Sequence, residues 1–125
     1  MKIRSAREAA WLSLTHWRKM IRWVEKQDPD RPVNGLTMYM EISIDWYGED
    51  CALCEWSRMK SLRIQENEDE YIRPCSLCPL FKRYGPCTGW RNVWWRVNAS
   101  RTWGEWFKYG RCMEQQLEAV WKELK

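Results

Sequence analysis

The chain has 125 residues, the length of one domain, and 45% of them are hydrophobic, which suffices for a small core and excludes a disordered tail. With 21 Lys+Arg against 17 Asp+Glu, the net charge of +4 is too mild to demand nucleic acid or a membrane surface. Six cysteines, eleven tryptophans and a single histidine, His16, argue against histidine-rich metal sites and a histidine-based triad and turn attention to thiol chemistry.

The start, Met1-Lys2-Ile3-Arg4-Ser5-Ala6-Arg7-Glu8, is charged, and Arg18, Lys19 and Arg22 interrupt the first hydrophobic segment. It lacks the apolar run of about 7–15 residues that a signal peptide needs. No stretch approaches the roughly 18 apolar residues of a membrane span. The expected setting is a reducing cytoplasm, where paired cysteines hold metal more often than they form disulfides. Asn98-Ala99-Ser100 is then a chance match to a glycosylation acceptor.

Residues 5–27 are expected to form an N-terminal helix. Ala10, Leu14, Trp17, Ile21 and Val24 recur every three or four residues on one face, Ser5 and Glu8 have capping-box spacing, and Pro29 closes the segment. Asp28 to Gly35 is a turn-rich linker. From Leu36 to Tyr47 apolar and polar residues alternate, the period of a half-buried strand. The methionines there suit a helix equally, and no partner strand is evident, so both readings stay open. Residues 51–89 carry five cysteines among short segments, as in a fold organised by its ligands. The acidic run from Glu66 to Glu70 reads as a solvated loop. Residues 101–124 form the second long amphipathic helix, with Trp103, Trp106, Phe107, Gly110, Met113, Leu117, Val120, Trp121 and Leu124 recurring at the three-four interval and Thr102 or Ser100 as its cap. The expected fold is mainly α, with a small α+β fold possible: a single domain over 1–125, two long terminal helices packed around a metal-stapled cysteine-rich middle.

Cys51-Ala52-Leu53-Cys54 and Cys75-Ser76-Leu77-Cys78 are two C-x-x-C pairs with 20 residues between them, the edge of the spacing used by zinc sites. Two intervening residues let a tight turn aim both sulfurs at one ion, about 2.3 Å from a zinc, and two such turns complete a tetrahedron. The favoured ligands are Cys51, Cys54, Cys75 and Cys78, with Cys87 in reserve. Cys112, in the middle of the last helix, reads as a small buried hydrophobe. Plain core thiols, a pair of disulfides and a thioredoxin-like redox site are weaker readings, the last because neither pair sits in a βαβ pattern. Zn2+ leads on spacing. A [4Fe–4S] cluster is the alternative cofactor, because Cys78-Pro79 has the Cys-Pro ending common in cluster-binding sequences.

Residues 82–111 hold seven basic residues against one acid and interleave eight aromatics. Arg91, Trp94, Trp95 and Arg96 are the candidate partner-binding residues, as a Trp/Arg hot spot for a host protein or as a stacking and phosphate-contacting surface for nucleic acid. The third reading is that the aromatics pack while the arginines solvate the outer face. Residues 41–55 contain five acids and no base, so the charge is bipolar and this strip is available to neutralise the basic terminal helices. Trp17, Trp103, Trp106 and Trp121 are expected in the core. No catalytic residues are predicted: the nucleotide-binding and nucleophile-elbow motifs are missing, and the His-x-Glu that accompanies a deaminase's zinc cysteines is absent. A zinc held by four thiolates has no open position for water and is structural.

From residue 51 onward the layout Cys51-Ala52-Leu53-Cys54, Cys75-Ser76-Leu77-Cys78-Pro79-Leu80, Gly85-Pro86-Cys87, a tryptophan-rich stretch and a terminal helix resembles small uncharacterised cysteine-rich proteins of bacteriophage and prophage genomes. The resemblance covers roughly the last 75 residues and implies a phage-encoded small metal protein of the host bacterial cytoplasm, in the manner of an accessory or host-interference factor. The N-terminal helix and residues 36–47 lie outside it.

Overall fold

The computed structural model describes residues 3–47, 51–67, 77–84 and 92–124. Ser5 is extended, and its hydroxyl accepts from the Glu8 amide at 3.1 Å, which starts α1, Ala6–Glu25. Glu8 in the first turn and Arg22 in the last complement the helix dipole. Ala10, Leu14, Trp17, Ile21 and Val24 all face inward, as their spacing requires. At the other end of the chain Thr102 caps α6, Trp103–Glu123, accepting from the Glu105 amide at 3.3 Å. The buried face of α6 is Trp103, Trp106, Gly110, Met113, Leu117 and Val120, and Ser100 is not the cap.

These two helices pack antiparallel through their aromatics. Trp11 meets Trp121 at 5.0 Å between ring centroids, Trp17 stacks on Trp106 at 5.6 Å, and Trp23 sets its edge against Trp103 at 5.1 Å. Burying such rings contributes more than any surface ion pair, including the half-exposed Arg18–Glu114 contact of 3.1 Å. Trp121 lies at the rim, half-buried, with the Arg7 guanidinium 4.7 Å from its ring.

The alternating segment resolves into helix and loop. Asn34 accepts from the amides of Leu36 and Thr37, so the chain turns into α2, Gly35–Ile42. Among the described residues there is no strand, only one isolated bridge, Pro32 to Thr102. A local cap thus outweighs the two-residue pattern where no neighbouring strand exists to pair with it. Ser43 ends α2 in the left-handed conformation, φ 63°. Trp46 follows, buried, and its ring meets Trp103 and Trp106 edge-on. Its indole N–H donates to Asn98 Oδ1 at 3.2 Å.

Helix α3, Ala52–Asn67, runs beside α1, and the Leu53 amide donates to Ser13 Oγ at 3.2 Å across the two. Small side chains on both helices (Ala9, Ala10 and Ser13 in α1, Ser57 and Ser61 in α3) are buried, which suits a close approach. The helix reaches Asn67, so it takes in the start of the acidic run, and residues 68–70 lie outside the described residues. Two short helices complete the description: α4, Pro79–Tyr84, and α5, Val93–Asn98. Arg83 of α4 forms an ion pair with Glu123 of α6. The mainly helical fold with packed terminal helices is as the periodicity indicates.

Candidate functional site

Three of the predicted ligands fall on two helix starts. The Cys51 carbonyl accepts the first helical bond of α3 from the Glu55 amide at 3.1 Å, so Cys51 holds the N-cap position, and its Sγ accepts from the Cys54 amide at 3.4 Å. The Cys78 carbonyl accepts from the Lys82 amide at 3.0 Å, which makes Cys78 the cap of α4 with Pro79 in the first helical position. Proline suits that place because its missing N–H would have had no helical partner.

The surroundings divide the two thiols. At Cys51 the Cys54 side chain, the amides of Cys54 and Leu53 and the Ser13 hydroxyl all favour the thiolate. Together they overcome burial and bring the thiol from 9.0 down to about 7. At Cys78 burial dominates and pushes the thiol up. The negative charge of Cys51 adds to this, while the amides of Phe81 and Leu80 and the Ser57 hydroxyl pull weakly the other way. Serines 13 and 57 therefore stand beside the two sulfurs, and Cys51 lies within electrostatic reach of Cys78, at a junction of α1, α3 and α4.

None of the four described cysteines is in a disulfide. Among the described residues no group of three His, Cys, Asp or Glu side chains is placed to hold a metal ion. Cys75 and Cys87 lie outside the described residues. Cys112 is half-buried in α6. The donor chemistry at the junction is thiolate with amide and hydroxyl donors around it, which suits a soft, thiophilic ion such as Zn2+ or an iron–sulfur centre. Cys51 and Cys54 are the described pair that could begin such a site, and the described residues do not bring Cys78 into a three-ligand group with them.

The candidate partner residues separate. Trp94 is half-buried, and its indole N–H donates to the Trp46 carbonyl at 2.7 Å, tying it inward. Trp95 is 41% exposed. The Arg96 guanidinium sits 5.8 Å from the Tyr109 ring. Trp95, Arg96 and Tyr109 line one shallow depression of about 270 Å³ with Ala99 and Glu105. Arg91 lies outside the described residues. His16 is half-buried on α1. Of the acids of 41–55, Glu41 accepts from the Trp23 indole at 2.7 Å and Glu49 and Asp50 lie outside the described residues, while Arg18 of α1 pairs with Glu114 of α6.

No family model, curated protein or solved structure matches this chain. No helix among the described residues is long and apolar enough to cross a membrane.

Sequence reasoning missed the serines. Ser13 and Ser57 carry no motif, and their place beside the sulfurs follows from the crossing of α1 and α3, which periodicity does not specify.

Proposed function

We propose that this is a small thiolate metal-binding protein in which a structural Zn2+ holds the α3–α4 region against α1. The reading rests on Cys51: a helix-capping thiol with its C-x-x-C partner beside it, brought down to about 7, within electrostatic reach of a second helix-capping cysteine, Cys78. Cys75 completes the preferred set with Cys51, Cys54 and Cys78, and Cys87 is the reserve ligand. A closed thiolate site stabilises the fold and leaves no position for catalysis. The protein then acts by binding a macromolecular partner, a protein of the host cell if the phage-like cysteine layout reflects its origin. Trp95 and Arg96 are the exposed members of the Trp/Arg surface, of the residue types that dominate protein-binding hot spots.

Elemental analysis and an absorption spectrum of anaerobically purified protein test the metal. One zinc per chain in a colourless sample is the expected result. A brown sample with stoichiometric iron replaces it by the cluster reading, in which redox or sensing becomes the role. Cys78→Ser is expected to lose the metal and Cys112→Ser to keep it; the reverse overturns the assignment.

A further inference from the structure

Helices α1, α3 and α6 begin with the same device. Ser5 caps α1 and Thr102 caps α6, and each hydroxyl accepts from the amide three residues on, Glu8 at 3.1 Å and Glu105 at 3.3 Å. The side chain at that third position then folds back. Glu8 accepts from the Arg4 amide at 3.0 Å and Glu105 from the Arg101 amide at 3.4 Å. As in a capping box, the two side chains meet over the first turn. In α3 both places are cysteines. Cys51 is the cap, its sulfur accepts from the Cys54 amide at 3.4 Å, and the Cys54 side chain is hydrogen-bonded to that same sulfur.

Sulfur in these two places has a chemistry that oxygen lacks, because two thiols can join. A disulfide needs Cα atoms about 4.4–6.8 Å apart. Helix geometry sets residues three apart at about 5 Å, so closure asks for no backbone movement. Both cysteines are half-buried, within reach of a small solute. The other described thiols differ: Cys78 is buried, and Cys112 lies in mid-helix with no second cysteine on α6.

We infer that Cys51 and Cys54 are a reversible dithiol–disulfide pair that exchanges with low-molecular-weight disulfides of the glutathione class. One protein thiol, as its thiolate, attacks a sulfur of oxidised glutathione, forms a mixed disulfide and expels one glutathione thiolate. The second gives up its proton, attacks the protein sulfur of that mixed disulfide and expels the other. Two electrons pass from the protein to glutathione, and two reduced glutathiones leave with the two protons. The reaction asks only for two sulfurs in reach of each other, so it does not depend on a βαβ setting. It shares its residues with the proposed metal site but does not rest on that reading. An ion and a disulfide exclude each other, because the thiolate is the metal ligand.

The test therefore uses the full chain freed of metal by a chelator, equilibrated in glutathione buffers of stepped oxidation, then quenched, alkylated and weighed by mass spectrometry. Wild type is expected to lose two hydrogens, with peptide mapping placing the link between Cys51 and Cys54 and dithiothreitol reversing it. Cys51→Ser and Cys54→Ser should each retain one glutathione on the remaining thiol, since no neighbour expels it. Cys78→Ser should close the pair as wild type does. Circular dichroism checks that the treated chain and its variants fold. Wild type that stays reduced where Cys54→Ser takes up glutathione overturns the inference. So does wild type that keeps glutathione on both cysteines, or a link from either one to Cys75, Cys78 or Cys87. Zinc content is measured before chelation, so the two readings fail separately. A chain that never held zinc but closes the pair supports this inference and removes the metal.

Discussion

Cys51 stands where serine, threonine, aspartate or asparagine ordinarily sits, because the first turn of a helix presents amides that need an acceptor. Neutral sulfur accepts hydrogen bonds weakly and a thiolate accepts them well, so the Cys54 side chain, and after it the amides that begin α3, draw the proton off Cys51. Its folded value of about 7 lies below the ordinary 9.0. The thiolate therefore contributes stability that is complete above pH 9.0 and is lost as pH falls through about 7. Cys78, raised by burial, titrates above the ordinary value and opposes this trend only at still higher pH. In metal-free protein the thermal midpoint is expected to rise between pH 7 and pH 9, and Cys51→Ser should abolish the rise; a flat wild-type profile would refute the assignment. Ser13→Ala leaves the Leu53 amide without its acceptor and takes a hydrogen bond from Cys51. It is expected to cost about 1–3 kcal/mol and to raise the thiolate midpoint followed by ultraviolet titration.

At the scale of elements, the ends and crossings of helices decide what substitutions do. Ser43 closes α2 at φ 63°, where a Cβ is strained. Ser43→Gly is expected to stabilise by about 1 kcal/mol in urea unfolding. Glycine to alanine inside a helix ordinarily gains about 1 kcal/mol. At position 110 the sign reverses, because a Cβ would lie 2.8 Å from the ring of Trp106 one turn earlier. Trp106 is fully buried against Trp17 and Trp46 and cannot swing away. Gly110→Ala is expected to cost about 1–3 kcal/mol by overpacking, with a lowered urea midpoint as the readout. The burial of Trp106 is not free of cost in another respect, since its indole N–H has no hydrogen-bond partner among the described residues; the ring contacts outweigh that.

Over the whole molecule two regions of different physics share α1. One side carries the tryptophan core, Trp17, Trp23, Trp46, Trp103 and Trp106, which needs no ligand to bury its area. The other carries the thiols, where α3 and α4 begin and where burial is shared among small side chains. If the proposed Zn2+ is bound, chelation is therefore expected to leave the near-ultraviolet dichroism of the tryptophans largely intact. Amide exchange should quicken in α3 and α4 and stay slow in α1 and α6. Loss of the tryptophan signal on chelation would mean that the thiols hold the entire fold.

The two long helices and their inner faces were legible along the chain, because capping and a three-four repeat are local properties that one strand of sequence carries complete. Cysteine spacing put forward Cys51, Cys54, Cys75 and Cys78, with Cys87 in reserve, from thiol number and turn length alone; the fold adds that Cys51 and Cys78 cap helices, while Cys75 and Cys87 lie outside the described residues. The alternation from Leu36 to Tyr47 was equally plain but did not choose between strand and helix, since a strand exists only with a neighbour to pair with, and Asn34 capped a helix instead. Helical spacing placed Trp17, Trp103 and Trp106 in the core, where they are buried, but it also placed Trp121 there, which stands half-buried at the rim, and it did not choose between Trp94 and Trp95. Trp94 and Trp95 are adjacent and chemically identical, yet the Trp46 carbonyl, 48 residues away along the chain, draws one inward and leaves the other on the surface. Contacts between distant segments set the serines beside the sulfurs, because burial depends on what the rest of the chain brings into contact.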